Sequence, residues 1–256
     1  MLKILREYIN YKLKAKGRHG VHSPFVYDFV DNCLRENASK IVYKRFKIYK
    51  KQLLENNSII EVRDYGAGSK KLNNQRKIKD IAKISGVSAR YGKLLFKLVS
   101  HYQPKTTLEL GTSLGIGTFM LANGNPNGKV ITVEGCPANS LIAKKKHKIF
   151  GSENIDFVVS DFVSFLKTYE GPKFDFVFID GDHRSEKLKE QLEFLKNHVH
   201  DETIILLDDI RWNKDMLYAW NELVSKDKYH LSIDLFKMGI IMLRNHQEKE
   251  HFVIRY

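Results

Sequence analysis

Cysteine is almost absent from this 256-residue chain. Cys33 and Cys136 stand alone at no metal-ligand or disulfide spacing, which excludes a disulfide scaffold and a zinc cluster and suits a reducing compartment. No apolar run approaches the ~18–20 residues that a bilayer-spanning helix needs. Met1 to Lys16 alternates apolar with charged residues, so the expectation is a cytoplasmic protein with neither a secretory leader nor a membrane partner. Five prolines, no low-complexity stretch and no internal repeat exclude linker-rich and solenoid architectures. Acidic residues are scarce only in the first part. Residues 1–104 hold 23 basic against 8 acidic residues, a net +15, whereas residues 105–256 are near neutral at −2. Such asymmetry marks either a polyanion-binding face or a lysine-rich solvated surface. The lysines and arginines are scattered and few aromatics interleave with them, which favours the solvated surface.

Two segments follow from the patterning. Residues 1–104 read as a basic, mainly helical extension. Leu2, Leu5, Ile9 and Leu13 repeat at helical spacing, and a second stripe from Phe25 to Leu34 starts at Ser23-Pro24, a cap followed by the first helical position. A third helix is expected over residues 39–55, and one or two more over 78–103 with a break near Ser85-Gly86. His19 and His22 sit in the breaker-rich loop between the first two helices and lack a third ligand for a metal. Asp64 to Ser69 is glycine-rich and follows an apolar run, yet the residues after it have no apolar face. It reads as a surface loop or a lid.

From residue 105 the pattern becomes regular. Apolar strands are expected at 106–110, 130–134, 155–159, 174–180 and 203–208, with helical patterns between them and over 214–225. Alternation of this kind builds a parallel sheet covered on both faces. Tyr229–Phe236 and Gly239–Leu243 are separated by so short a turn that they must pair antiparallel, and residues 251–256 offer an edge strand. The most informative stretch is Thr106 to Thr118, a buried strand ending in Glu109-Leu110, a glycine turn with Gly111, Gly115 and Gly117, and the start of a helix. Glycine permits the sharp bend and the close approach of a ligand, and the helix start leaves amides to face it. The glycine spacing departs from the dinucleotide fingerprint.

Ligands in such sheets bind beyond the carboxyl ends of the strands, so the strand ends name the candidates. They are Glu109, Gly111, Thr112, Ser113 and Gly115 at the first strand and Glu134 at the second. Asp161 follows the third, where it reads equally as a ligand contact and as a helix cap. Asp180 to His183 follow the fourth, and Asp208-Asp209 the fifth. A carboxylate such as Glu134 accepts two donors at once, as a ribose diol requires. Asp180, Asp208 and Asp209, crowded together, repel one another unless a cation neutralises them, and hard oxygen ligands suit Mg²⁺ or a similar ion.

The order and spacing of these segments resemble the class I methyltransferases, which bind S-adenosylmethionine (SAM), and over residues 85–256 the divalent-metal-dependent catechol and caffeoyl-CoA O-methyltransferases in particular. A broad bacterial group of unassigned substrate is also similar. The resemblance implies a Rossmann-like α/β sheet of parallel strands closed by an antiparallel hairpin over residues 105–256. It implies SAM contacts at Glu109, Gly111, Thr112, Ser113, Gly115, Glu134, Asp161 and Asp180, and metal ligands at Asp180, Asp208 and Asp209. In that family the last position is usually Asn. Its catalytic lysine, three residues beyond the first metal Asp, is replaced here by His183, which leaves Asp180 and His183 as the catalytic candidates. The expected activity is methyl transfer to a hydroxyl of a small molecule, with a homodimer allowed by exposed edge strands. The competing reading is an RNA, DNA or protein methyltransferase that uses the basic extension as a platform. The fourth strand lacks the Asn/Asp-Pro-Pro-Tyr/Phe sequence of many nucleobase enzymes. A non-catalytic SAM sensor ranks last.

Overall fold

The computed structural model describes residues 2–17, 20–36, 39–62 and 74–256. His19 and the Asp64–Ser69 glycine segment, read above as loops, lie outside the described residues. The extension contains α1 (Leu2–Lys14), α2 (Pro24–Asp28, continuing as one π-helical turn over Phe29–Cys33) and α3 (Lys40–Leu54). Ser23 and Pro24 open α2 as expected, although the serine side chain makes no capping bond. Two short antiparallel strands follow, β1 (Ile59–Glu61) and β2 (Gln75–Lys77), then α4 (Ile78–Ile84) and α5 (Ala89–Tyr102). Ser88 caps α5 by accepting from the Tyr91 amide.

The sheet is built from β3 (Thr106–Leu110), β4 (Lys129–Glu134), β5 (Ile155–Val159), β6 (Phe174–Ile179), β7 (Val199–Leu207), β8 (Leu231–Asp234), β9 (Gly239–Met242) and β10 (Glu250–Val253). Between them run α6 (Ile116–Gly124), α7 (Pro137–Ile149), α8 (Phe162–Thr168), α9 (Ser185–Leu195) and α10 (Lys214–Ser225). Strand order is β10-β8-β9-β7-β6-β3-β4-β5. β3 to β7 pair parallel, β9 lies antiparallel to β7 and β8, and β10 adds the edge, parallel to β8. The chain winds outward from β3 to β5, then returns to β6 on the other side of β3. That reversal opens a crevice between the ends of β3 and β6.

Burial on both faces explains the unbroken apolar runs. Phe176 and Phe178 point into one core with Leu94, Phe119 and Met120, while Val177 and Ile179 point into the other with Leu188, Leu192 and Trp220. Period-two alternation therefore persists without a polar partner. The extension joins the first of these cores through Val26, Phe29, Phe46, Tyr49 and Leu53.

The helix expected over the leucine stripe forms as α1, and Leu5, Ile9 and Leu13 on that stripe are exposed, Leu13 by 81%. α1 docks instead through Tyr8 and Tyr11, whose rings pack on Phe236 at 5.0 and 5.3 Å. The Tyr11 hydroxyl donates to the Ile254 carbonyl at 2.5 Å and accepts from the Tyr256 amide at 3.0 Å. Two amphipathic rings with polar tips outcompete a leucine stripe because the chain terminus they meet is rich in backbone polar groups.

Candidate active site

The glycine turn after β3 is held from several sides. The amides of Gly111 and Thr112 donate to the Val133 carbonyl, and the Asp180 amide donates to the Leu110 carbonyl, so the turn is pinned to both neighbouring strands. Gly111 has φ +113°, and a Cβ there would lie 2.3 Å from the Asp180 carbonyl oxygen. Only glycine satisfies both constraints. Gly115, with φ +76°, begins α6. Behind it, the buried Tyr49 hydroxyl donates to the Leu114 carbonyl at 2.8 Å and His147 Nε2 bonds to the Gly115 carbonyl at 3.0 Å. Burial lowers the His147 pKa to about 4, so the ring is neutral and Nε2 donates.

Glu109 lies under this turn and does not border the cavity. It is 1% exposed, and its carboxyl accepts from Thr118 Oγ1 at 2.5 Å and Thr132 Oγ1 at 2.6 Å. Thr112 Oγ1 bonds to Thr132 Oγ1 at 2.5 Å and completes the chain. Burial raises the Glu109 pKa to about 7 despite the two hydroxyl bonds. Glu109 and Thr112 thus support the turn from beneath, while Gly111 and Ser113 face the open side.

That open side is a cavity of about 1280 Å³ above the carboxyl ends of β3 to β6. Glu134 borders it. Its Oε2 accepts from the Ser113 amide at 2.7 Å and its Oε1 from the Cys136 amide at 2.9 Å. Asp161 also borders it and caps α8 by accepting from the Ser164 amide at 2.9 Å, so the capping role is realised at the edge of the cavity. The wall opposite the sheet comes from Val62, Gln75, Arg76 and Ile81, next to the strand pair β1–β2 and α4.

Asp180, Gly181, Asp182 and His183 form the floor beyond β6. Parallel pairing of Ile179 with Leu207 places Asp180 beside Asp208, as the sequence pattern anticipates. Burial and the charge of Asp208 hold the Asp180 carboxyl well above the usual carboxylate range. Burial and Asp208 act on Asp209 in the same direction. His183 Nε2 lies 3.6 Å from Asp209 Oδ2, and the imidazole packs on the Trp212 indole at 5.6 Å.

The cation beside these carboxylates belongs to the protein. Lys237 Nζ lies 3.0 Å from Asp208 Oδ2 and 3.4 Å from Asp209 Oδ1. Burial alone would lower the Lys237 pKa, but Asp208 and Asp209 outweigh it and hold the ammonium charged. Among the described residues no group of three His, Cys, Asp or Glu side chains is disposed to hold a metal ion. The donor set therefore does not fit a divalent ion as arranged: Asp208 and Asp209 already turn toward an ammonium.

Residues 108–210 match the family described as Methyltransferase domain. Over this stretch the chain is similar to a methyltransferase domain. The matched span runs from β3 past the end of β7 and takes in the glycine turn, Glu134 and Asp180. Curated relatives match part of the chain. A catechol O-methyltransferase of Mycobacterium tuberculosis is 38% identical over 98 residues, covering 38% of this chain and 44% of that protein. A transmembrane O-methyltransferase of Homo sapiens is 30% identical over 114 residues, covering 42% of this chain and 38% of that protein. The chain thus spans less than half the length of these curated relatives. Among solved structures, a SAH-bound methyltransferase of Podospora anserina superposes with a TM-score of 0.60 at 15% identity, covering 88% of this chain and 99% of that one. An O-methyltransferase of Bacillus cereus in complex with SAH gives 0.56 at 16% identity, covering 91% and 99%. The sheet therefore has the Rossmann-like fold of these structures, closed by an antiparallel hairpin. No helix among the described residues is long and apolar enough to cross a membrane.

Three features of the site escape sequence reasoning. Tyr49 and His147 back the glycine turn from elements remote in sequence. Lys237 reaches the acids from the β8–β9 turn, and the one available signal is topological: Leu207 pairs with Gly239, so the residues just before Gly239 must sit over the end of β7.

Proposed function

We propose that this chain is a SAM-dependent methyltransferase that acts on a hydroxyl group of a small molecule. The observation that carries the reading is Glu134 at the edge of the cavity. Two backbone N–H groups, one from the glycine turn and one from the start of α7, fix the plane of its carboxylate. A carboxylate held in this way suits the paired hydroxyls of a ribose. On this reading Gly111, Ser113 and Gly115 shape the backbone against the donor, and Glu109 and Thr112 support them from below. Asp161 borders the base, and Asp180 borders the reacting end.

When bound, SAM supplies a methyl group on a sulfonium centre. His183 accepts the proton of the acceptor hydroxyl, its ring set 3.6 Å from Asp209 and packed on Trp212. Catalysis then rests on positioning and on the charges around the acceptor. The relatives named as catechol O-methyltransferases support a hydroxyl acceptor. The cleft mixes both signs, with Asp80, Glu134, Asp161, Asp180, Asp182 and Glu190 beside Arg76, Lys77, Lys167, Arg184 and Lys187, and so presents no basic patch of the kind a polyanion requires.

Calorimetry with SAM and with NAD tests the donor. Saturable binding of SAM alone is expected; equal binding of NAD, or none of SAM, would overturn the assignment. Transfer of labelled methyl into fractions of small molecules from a cell extract tests the acceptor class. Asp180→Ala is expected to abolish that transfer while SAM affinity survives, and parallel loss of both would remove Asp180 from the reacting end.

A further inference from the structure

We infer that Lys237 is the resident cation of the acidic cluster, and that its ammonium takes the place a divalent metal would fill between Asp208 and Asp209 beside Asp180. The methyltransferase reading gives this assignment its consequence for catalysis, but the occupancy itself rests on geometry. Asp208 is nearly inaccessible, with a side chain 3% exposed, and its Oδ2 receives Lys237 Nζ at 3.0 Å; the same nitrogen lies 3.4 Å from Asp209 Oδ1. Asp208 Oδ1 is committed to the Asp209 amide at 2.8 Å.

The lysine is held there by the backbone. Its carbonyl accepts from the Ile210 amide at 3.0 Å, and its amide donates to the Leu235 carbonyl at 3.1 Å. Arg211 clamps the same turn. It donates to both Asp234 oxygens, at 2.8 and 2.5 Å, and to the Phe236 carbonyl at 2.8 Å. Phe236 adopts φ +73°, the left-handed bend that turns the chain back over the end of β7. The ammonium also lies 5.5 Å from the centre of the Tyr91 ring, which favours a cation at that point. A Mg²⁺ ion at the same acids would have to expel this cation and then recover a near-octahedral oxygen shell from two carboxylates turned toward it.

The consequence concerns the acceptor. A metal with open positions can hold two oxygens of a vicinal diol. Lys237, Asp208 and Asp209 do not border the cavity that Asp180 and His183 line, so the ammonium neutralises the acids from behind that wall and presents no open position at which two oxygens could be chelated. The site therefore selects for a single hydroxyl near Asp180 and His183, without the advantage that chelation gives a vicinal diol.

Mn²⁺ titration of the full-length protein, read by the loss of the free-ion EPR signal, tests the assignment without any need for the acceptor. Wild type is expected to show no saturable binding that Asp208→Asn removes. Lys237→Ala is expected to bind one Mn²⁺ at least about tenfold more tightly than wild type, as expected of three carboxylates freed of their cation. Lys237→Arg, which keeps the charge, should behave as wild type. Saturable wild-type binding that disappears in Asp208→Asn would overturn the assignment, as would a folded Lys237→Ala protein with no gain. Should Lys237→Ala fail to fold, the pair of wild type and Asp208→Asn still decides. SAM calorimetry on the same samples reports on the methyltransferase reading, so failure of one is distinguishable from failure of the other.

Discussion

Glu109 offers the sharpest test of how the glycine turn is supported. Its carboxyl is buried among threonine hydroxyls, with no cation among the described residues paired to it. Burial lifts its pKa from the ordinary 4.5 to about 7. A folded-state pKa raised in this way means that the folded chain binds the proton more tightly than the unfolded one. The contribution to stability is then complete below about pH 4.5 and is lost as pH rises through about 7. The gap corresponds to about 3 kcal/mol. Glu109→Gln keeps the shape and can accept from both threonines, but it cannot ionise. Denaturant unfolding followed by tryptophan fluorescence suits the measurement, because Trp220 is buried in the core. The unfolding free energy of the variant relative to wild type should rise by about 3 kcal/mol between roughly pH 5 and pH 9. The comparison also removes His147, whose lowered pKa has the opposite sign: its contribution is present above pH 6.5 and is lost as pH falls toward about 4. Parallel stability curves for the two proteins across the alkaline range would refute the reasoning and mean that Glu109 carries the same charge folded and unfolded.

Two further substitutions probe the turn and the donor contact. Gly115→Ala places a Cβ 2.8 Å from both His147 Nε2 and the Tyr49 hydroxyl at φ +76°, so unfolding by urea should show a loss of about 2–4 kcal/mol. Glu134→Gln removes the charge that faces the proposed ribose and leaves one of the Ser113 and Cys136 amides facing an NH2 group, so SAM calorimetry should show affinity falling about 10–100-fold and urea unfolding a loss of about 1–3 kcal/mol.

The regular half of the chain was legible because its signals are local. The strands at 106–110 and 155–159 and the helix at 214–225 have the bounds expected from apolar patterning, and the strand ends name the acids because a parallel sheet aligns them. β7 starts earlier than expected, at Val199, since His200 and Asp201 look like loop residues in sequence yet sit in the strand. The extension was less legible because its burial depends on contacts from distant positions. Tyr49 reads as one more aromatic on an amphipathic helix until α3 is laid against Leu114. In α1 the leucine stripe was a true period without a partner in the described structure. The pair β1–β2 is too short, at three residues a strand, for patterning to single out.

The closing hairpin shows why topology rather than composition governs the charge of this site. Parallel strands of an open sheet all deliver their carboxyl ends to the same rim, and three of the five here end or exit there in a carboxylate: Glu134, Asp180 and Asp208. An additional parallel strand could place only its own exit at that rim. An antiparallel strand does the reverse and brings its entry there, together with the turn that feeds it. β9 enters at Gly239 opposite Leu207, so Lys237 arrives over Asp208 by register alone. The feature that separates this sheet from the dinucleotide-binding fold thus also supplies a place from which a backbone-anchored cation reaches the acids of β7. Shifting that turn by one residue would turn the lysine away and leave Asp208 and Asp209 uncompensated, a cost of several kcal/mol for buried like charges. Register, hairpin and charge therefore constrain one another, and Lys237 belongs to the architecture of the site as much as the glycine turn does.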